Sequence, residues 1–187
     1  MRESIEQSFQ NIKLDYVDAL LLHVPFEDEQ DDTVAWNVME SFVPSRVGVL
    51  GVSNSGRAAL EKLYAAASVK LEIVQNRFQG ENEHDADIRK YLDKTGIVYQ
   101  AFSLLEANQE IRSSELVARV AERFYTKREI AFCMLVLGLG KVSIVNGTTS
   151  EARETDLVRI AELLGDRQAV SDLTEYLAKL KQLLRTK

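Results

Sequence analysis

The sequence holds a single cysteine, Cys133. That excludes an internal disulfide and fits a reducing, cytoplasmic setting. Cys133 lies in an apolar run of helical character and reads as a small buried side chain. There are only two histidines and no paired Cys/His spacing, so no dedicated metal site is expected. A basic stripe is missing as well. Acidic and basic residues are mixed along a chain of net charge -6, which speaks against nucleic acid as a partner. No apolar run reaches membrane-spanning length, so no membrane partner is expected. The N-terminus carries Glu3 and Glu6 and lacks the apolar centre of a signal peptide. No low-complexity or linker-like segment interrupts the chain. Residues 1–187 therefore read as one domain, long enough to bury a core.

What is present is organised around Asp15-Tyr16-Val17-Asp18-Ala19-Leu20-Leu21-Leu22-His23-Val24-Pro25. The apolar run is too short for a helix and does not alternate, so it suits a parallel strand covered on both faces. Pro25 cannot continue the ladder. His23 thus falls at the C-terminal end of a buried strand, where parallel α/β folds place their chemistry. On position alone the imidazole serves equally as a strand cap.

The same pattern recurs down the chain. Strands are expected over 17–23, 47–52, 72–75, 97–101 and 142–145. Helices are expected over 2–12, 33–42, 57–67, 88–94, 114–124, 127–139, 150–164 and 171–184. Residues 80–87 read as an acidic loop in which His84 is solvated, and residues 103–108 as the exit loop of the fourth strand. Strand alternating with helix implies a parallel sheet with right-handed crossovers. A complete eight-unit barrel takes about 250 residues. Five strands leave either an open sheet or a barrel lacking some of its units.

Polar residues collect just beyond these strands: His23, Ser53 and Asn54, Gln75, Phe102 and Ser103, and Thr148. In a parallel sheet such positions share one face. Asn and Gln offer a donor and an acceptor together, which suits a carboxamide. An aromatic ring stacks on a flat heterocycle. Thr148 and the helix start behind it suit a phosphate, with Arg153 adding charge one turn along.

The segments DYVDALLLHVP, GVLGVSN, EIVQNRF, GIVYQAFSLL and VSIVNGTTSEAR, in this order, resemble the aldo-keto reductases, especially a fungal branch of that family. The resemblance implies a partial, truncated TIM barrel of about five parallel strands with outer helices, and an NADP(H) site. By it, His23 matches the catalytic histidine that orients the substrate carbonyl. Ser53, Asn54 and Gln75 match the ligands of the nicotinamide carboxamide, and Phe102 the ring that stacks on nicotinamide. Ser103 and Leu105 lie where backbone meets the pyrophosphate. Thr148 and Arg153 lie at the 2′-phosphate, with Asp156 nearby.

Two departures qualify what the resemblance implies. The family's aspartate, proton-donating tyrosine and lysine come from three strands before the histidine strand, and this sequence begins after them. Gly147 stands where many relatives have a lysine for the 2′-phosphate. Loss of a general acid costs about 10²–10⁴-fold. The expected function is therefore a non-redox enzyme: proton transfer, isomerisation, dehydration or cyclisation of a small natural-product intermediate, with His23 as acid/base and no tightly bound cofactor. The alternatives are an NADP(H)-dependent oxidoreductase with residual or partner-completed activity, and a non-catalytic binding or assembly subunit. Unpaired strand edges lead to the expectation of a homodimer.

Overall fold

The computed structural model describes residues 1–26, 28–147 and 151–184, with the side chains of 29, 30 and 151–154 excepted. Five parallel strands form one sheet in the order β1-β2-β3-β4-β5. They are β1 (Val17–Leu22), β2 (Val47–Ser53), β3 (Leu71–Arg77), β4 (Val98–Phe102) and β5 (Val142–Ile144). The strand–helix alternation calls for such a parallel sheet, and the sheet is that of the partial α/β barrel the resemblance implies. Two compact units are present, Met1–Asn76 with Asp87–Tyr99, and Arg77–Ala86 with Gln100–Lys187.

The first unit holds α1 (Arg2–Ile12), α2 (Glu29–Glu40), α3 (Arg57–Ala66) and α4 (Ala86–Thr95, from its second residue on), with β1, β2 and nearly all of β3. β1 and β2 run in register from Val17 opposite Val47 to Leu22 opposite Val52. Two glycines let β2 lie this close to its neighbours. A Cβ on Gly48 would sit 2.7 Å from the Asp18 carbonyl oxygen and from the Tyr16 hydroxyl. One on Gly51 would sit 2.6 Å from the Ile73 carbonyl oxygen. Trp36, Met39, Leu50, Leu60 and Val74 are buried in this unit. The Trp36 indole N–H donates to the Val69 carbonyl at 3.1 Å, which satisfies its one polar atom. Ile5 and Phe9 of α1 are buried, whereas Ile12 is exposed, because it ends the helix just before left-handed Lys13 turns the chain away.

The second unit holds α5 (Leu104–Ala107), α6 (Gln109–Arg112), α7 (Glu115–Arg123), α8 (Arg128–Leu137), α9 (Glu151–Gly165) and α10 (Arg167–Leu183). α7, α8, α9 and α10 pack on one another. In α8 all residues from 130 to 136 are buried, as befits a helix apolar on every side. α10 begins four residues before the expected 171. Asp166 caps it, its carboxylate accepting from the Gln168 and Ala169 amides.

Two expectations fail in this unit. Residues 103–108 are not an open loop but contain α5 and pass into α6. His84 is not solvated. It lies in a 3₁₀ turn, Gly80–Asp85, and is 1% exposed. Glu83, His84 and Asp85 all take left-handed φ values, 51°, 53° and 51°, and that turn carries the ring inward.

Candidate functional site

At the strand ends of the first unit, the chain turns immediately after β1 and β2. His23 follows β1 directly and is exposed. Ser53 closes β2, is buried and lies in register with Gln75 of β3. Asn54 takes a left-handed φ of 56°, which asparagine tolerates better than most residues. Its Nδ2 donates to the His23 carbonyl at 2.9 Å and to the Ser53 hydroxyl at 3.1 Å. Its backbone N–H donates to the Gln75 carbonyl at 3.0 Å. The structure thus brings His23, Ser53, Asn54 and Gln75 together at the C-terminal ends of β1, β2 and β3.

Asn76, which sequence reasoning passed over, holds the next turn. Its Oδ1 accepts from the Ser55 N–H at 3.0 Å, and its Nδ2 donates to the Ser55 carbonyl at 2.9 Å. Both residues are buried, so the reciprocal pair satisfies the N–H and the carbonyl of Ser55 where water cannot reach. Nothing in the sequence pattern marks this residue beyond its place at a strand end.

The second unit contains a cavity of about 960 Å³. Phe102, Ser103, Leu105, Cys133, Gly147 and Asp156 are among the residues that line it. Ser103, with φ 53°, turns the chain from β4 into α5. Two cations stand on the lining, and each meets a carboxylate: Lys127 Nζ lies 2.9 Å from Asp156, and Arg112 lies 3.6 Å from Glu129. Cys133 is buried, and that burial, with Glu129 and Asp156 acting in the same sense, pushes its thiol up to about 12. Cys133 is therefore a protonated wall residue, not a nucleophile. Thr148 lies outside the described residues, as does the side chain of Arg153. Among the described residues no group of three or more His, Cys, Asp or Glu could hold a metal ion.

The cavity can be tested against the dinucleotide the resemblance implies. Its volume suits a large organic ligand. Phe102 offers a ring, and the turn at Ser103 offers backbone. These features fit. The described cations, already engaged by carboxylates, give less to a phosphate than unpaired ones would.

Comparison with known proteins agrees with the resemblance. Residues 1–109 match the family model described as aldo/keto reductase family. Glyoxal reductase of Bacillus subtilis (strain 168) is 30% identical over 121 residues, covering 64% of this chain and 42% of that protein. Prostaglandin-E(2) 9-reductase of Oryctolagus cuniculus is 26% identical over 130 residues, 59% of this chain and 40% of that protein. The aldo/keto reductase of Brucella melitensis superposes with a TM-score of 0.76 at 20% identity, over 93% of this chain and 66% of that one. MGS-M4, an aldo-keto reductase from a Medee basin deep-sea metagenome library, gives 0.79 at 18% identity, over 94% of this chain and 64% of that one. At such identities the superpositions establish the fold. A single sheet of five parallel strands, with a histidine closing the first of them, defines part of an α/β barrel. The chain belongs to the aldo/keto reductase family, and its matches are to oxidoreductases. It spans two fifths to one half of the length of the curated relatives it matches.

Proposed function

We propose that this chain is the histidine-bearing and cofactor-bearing part of an NADP(H)-dependent oxidoreductase of carbonyl compounds. The observation that carries this reading is the second unit's cavity, lined by Phe102, Ser103 and Leu105 at the end of β4. By the family resemblance, Ser53, Asn54 and Gln75 take the carboxamide, and Phe102 the nicotinamide face. Ser103 and Leu105 offer backbone to the pyrophosphate, and Thr148 and Arg153 take the 2′-phosphate. When bound, the dinucleotide supplies a hydride. His23 orients the carbonyl oxygen by hydrogen bonding from its imidazole. The family's tyrosine, lysine and aspartate have no match in this sequence, so full activity draws them from outside it. The glyoxal reductase among the relatives makes a small dicarbonyl the first substrate to try.

A second reading is favoured by the ion pairs on the cavity lining, which leave little positive charge for phosphates. It is a non-redox enzyme, an isomerase, dehydratase or cyclase of secondary metabolism, in which His23 moves a proton on a small natural-product intermediate and no cofactor binds tightly. Calorimetric titration of NADPH into the 187-residue chain separates the two. Saturable low-micromolar binding supports the oxidoreductase. Failure to saturate turns the reading to proton transfer. Binding without turnover of any carbonyl, even with a relative's tyrosine-bearing strands added, points to a non-catalytic binding subunit. A cytoplasmic setting belongs to the same proposal.

A further inference from the structure

We infer that His84 and Asn108, neither of which lines the second unit's cavity, set the position of its wall and through it the affinity for a dinucleotide. The choice of ligand rests on the oxidoreductase reading.

Asn108 is buried between α5 and α6. Its Nδ2 donates to two carbonyls, that of Phe78 at 2.6 Å and that of Leu104 at 2.8 Å. Both amide hydrogens are thereby used, and Oδ1 faces His84 Nε2 at 3.0 Å. An amide oxygen only accepts, so His84 carries a hydrogen on Nε2. The His84 ring lies 4.9 Å from the Phe78 ring, centroid to centroid. Phe78 also donates its backbone N–H to the Phe102 carbonyl at 3.2 Å. The peptide groups of Phe78 therefore hold the wall segment at two points, Phe102 directly and Asn108 through its amide. Between those points stand Ser103, Leu104, Leu105 and Glu106, all on the cavity.

The wall needs such an anchor. α5 has four residues, one turn, and a single turn has no cooperative stability of its own. The turn that delivers His84 places three successive non-glycine residues in the left-handed region, a conformation such residues adopt at a cost. Such turns persist where the surroundings over-determine them. Here the surroundings include the ring contact with Phe78 and the hydrogen bond to Asn108, beside the His84 backbone amide's bond to the Gln79 carbonyl at 2.8 Å and the Asn82 side-chain amide's bond to the Arg77 carbonyl at 2.9 Å.

The test uses the 187-residue chain, amide hydrogen exchange and NADPH calorimetry. His84→Phe keeps a ring against Phe78 and removes the N–H donor, whereas His84→Gln keeps a donor. The Ala107 amide bonds Ser103 and the Arg112 amide bonds Asn108, so both report on the wall. In His84→Phe their exchange quickens about tenfold, while Ala118 of α7 and the Gly138 amide capping α8 hold their rates. NADPH affinity falls about tenfold with them, and His84→Gln restores both to within about twofold. Equal quickening at all four amides, or none at Ala107, overturns the inference. So does unchanged affinity when the wall amides have quickened. If the wild-type chain binds no NADPH, the oxidoreductase reading fails, and the exchange pattern still decides the role of the pair in the wall. Should His84→Phe not fold, the wild-type chain answers by nitrogen-15 NMR. A slowly exchanging His84 Nε2 proton supports the anchor, and its absence overturns it.

Discussion

The side-chain amide of Asn54 donates across 2.9 Å to the backbone carbonyl of His23, so the residue after β2 holds the end of β1 where the imidazole stands. Asn54 does this from a left-handed conformation. Two substitutions separate the bond from the backbone preference. Asn54→Gly loses only the side-chain hydrogen bonds, to the His23 carbonyl and the Ser53 hydroxyl, about 1 kcal/mol each. Asn54→Ala loses the same bonds and adds about 1–2 kcal/mol of left-handed strain. Urea denaturation ranks them, and a glycine variant no more stable than the alanine variant contradicts the conformational account.

His23→Ala should leave the fold unchanged within about 0.5 kcal/mol, because the ring is exposed and Asn54 holds the peptide carbonyl, which alanine keeps. Turnover of the true substrate should fall by about 10²–10⁴-fold. Full turnover in the variant makes His23 a strand cap and nothing more.

Asn76→Asp should cost about 2–4 kcal/mol at pH 7, since it removes the donor to the Ser55 carbonyl and buries a carboxylate beside it. Burial favours the protonated carboxyl, which can donate again. The loss should therefore shrink as pH falls, and urea midpoints at pH 7 and pH 4.5 read this directly. An equal deficit at both values rules out the lost donor as the cause.

The Cys133 thiol, pushed up to about 12, keeps its proton where an unfolded chain would have lost it. The stabilisation is complete below the ordinary thiol value and is lost as pH rises toward 12. Between pH 8 and pH 10 wild type should lose about 1 kcal/mol more than Cys133→Ala. Parallel curves for the two proteins dispose of the effect.

The 187-residue chain should self-associate. β1 lies at an edge of the sheet, and Tyr16, Val24 and Phe26 around it are exposed. Open strand edges invite pairing. Light scattering at micromolar concentration checks this, and a single 21.1 kDa species counts against it.

Much of the fold was legible because the strands are apolar, short and bounded by polar turns. β1 was readable within one residue, expected over 17–23 and found over Val17–Leu22. The strand-end residues His23, Ser53, Asn54 and Gln75 were legible for the same reason. His84 was not. Glu81, Glu83, Asp85 and Asp87 surround it in sequence, and only a left-handed run without glycine turns it inward. α5 and α6 were hidden because a one-turn helix has no periodicity to display. Asn108 stands between them and bonds Phe78 and His84, far away in sequence.

Gly48 and Gly51 bear on how this chain can vary. A first side-chain carbon at either position meets a backbone oxygen of a neighbouring strand, which cannot rotate aside as a side chain can. The middle strand of the first three is therefore closed to replacement at two sites, whatever the replacing residue's polarity or size. In a library of single variants screened for folding, these two columns should stand empty on either side of Val49 and Leu50. Drift along β2 is confined to the residues between and beyond them, and a GxxG spacing should outlast the rest of the strand as the chain diverges.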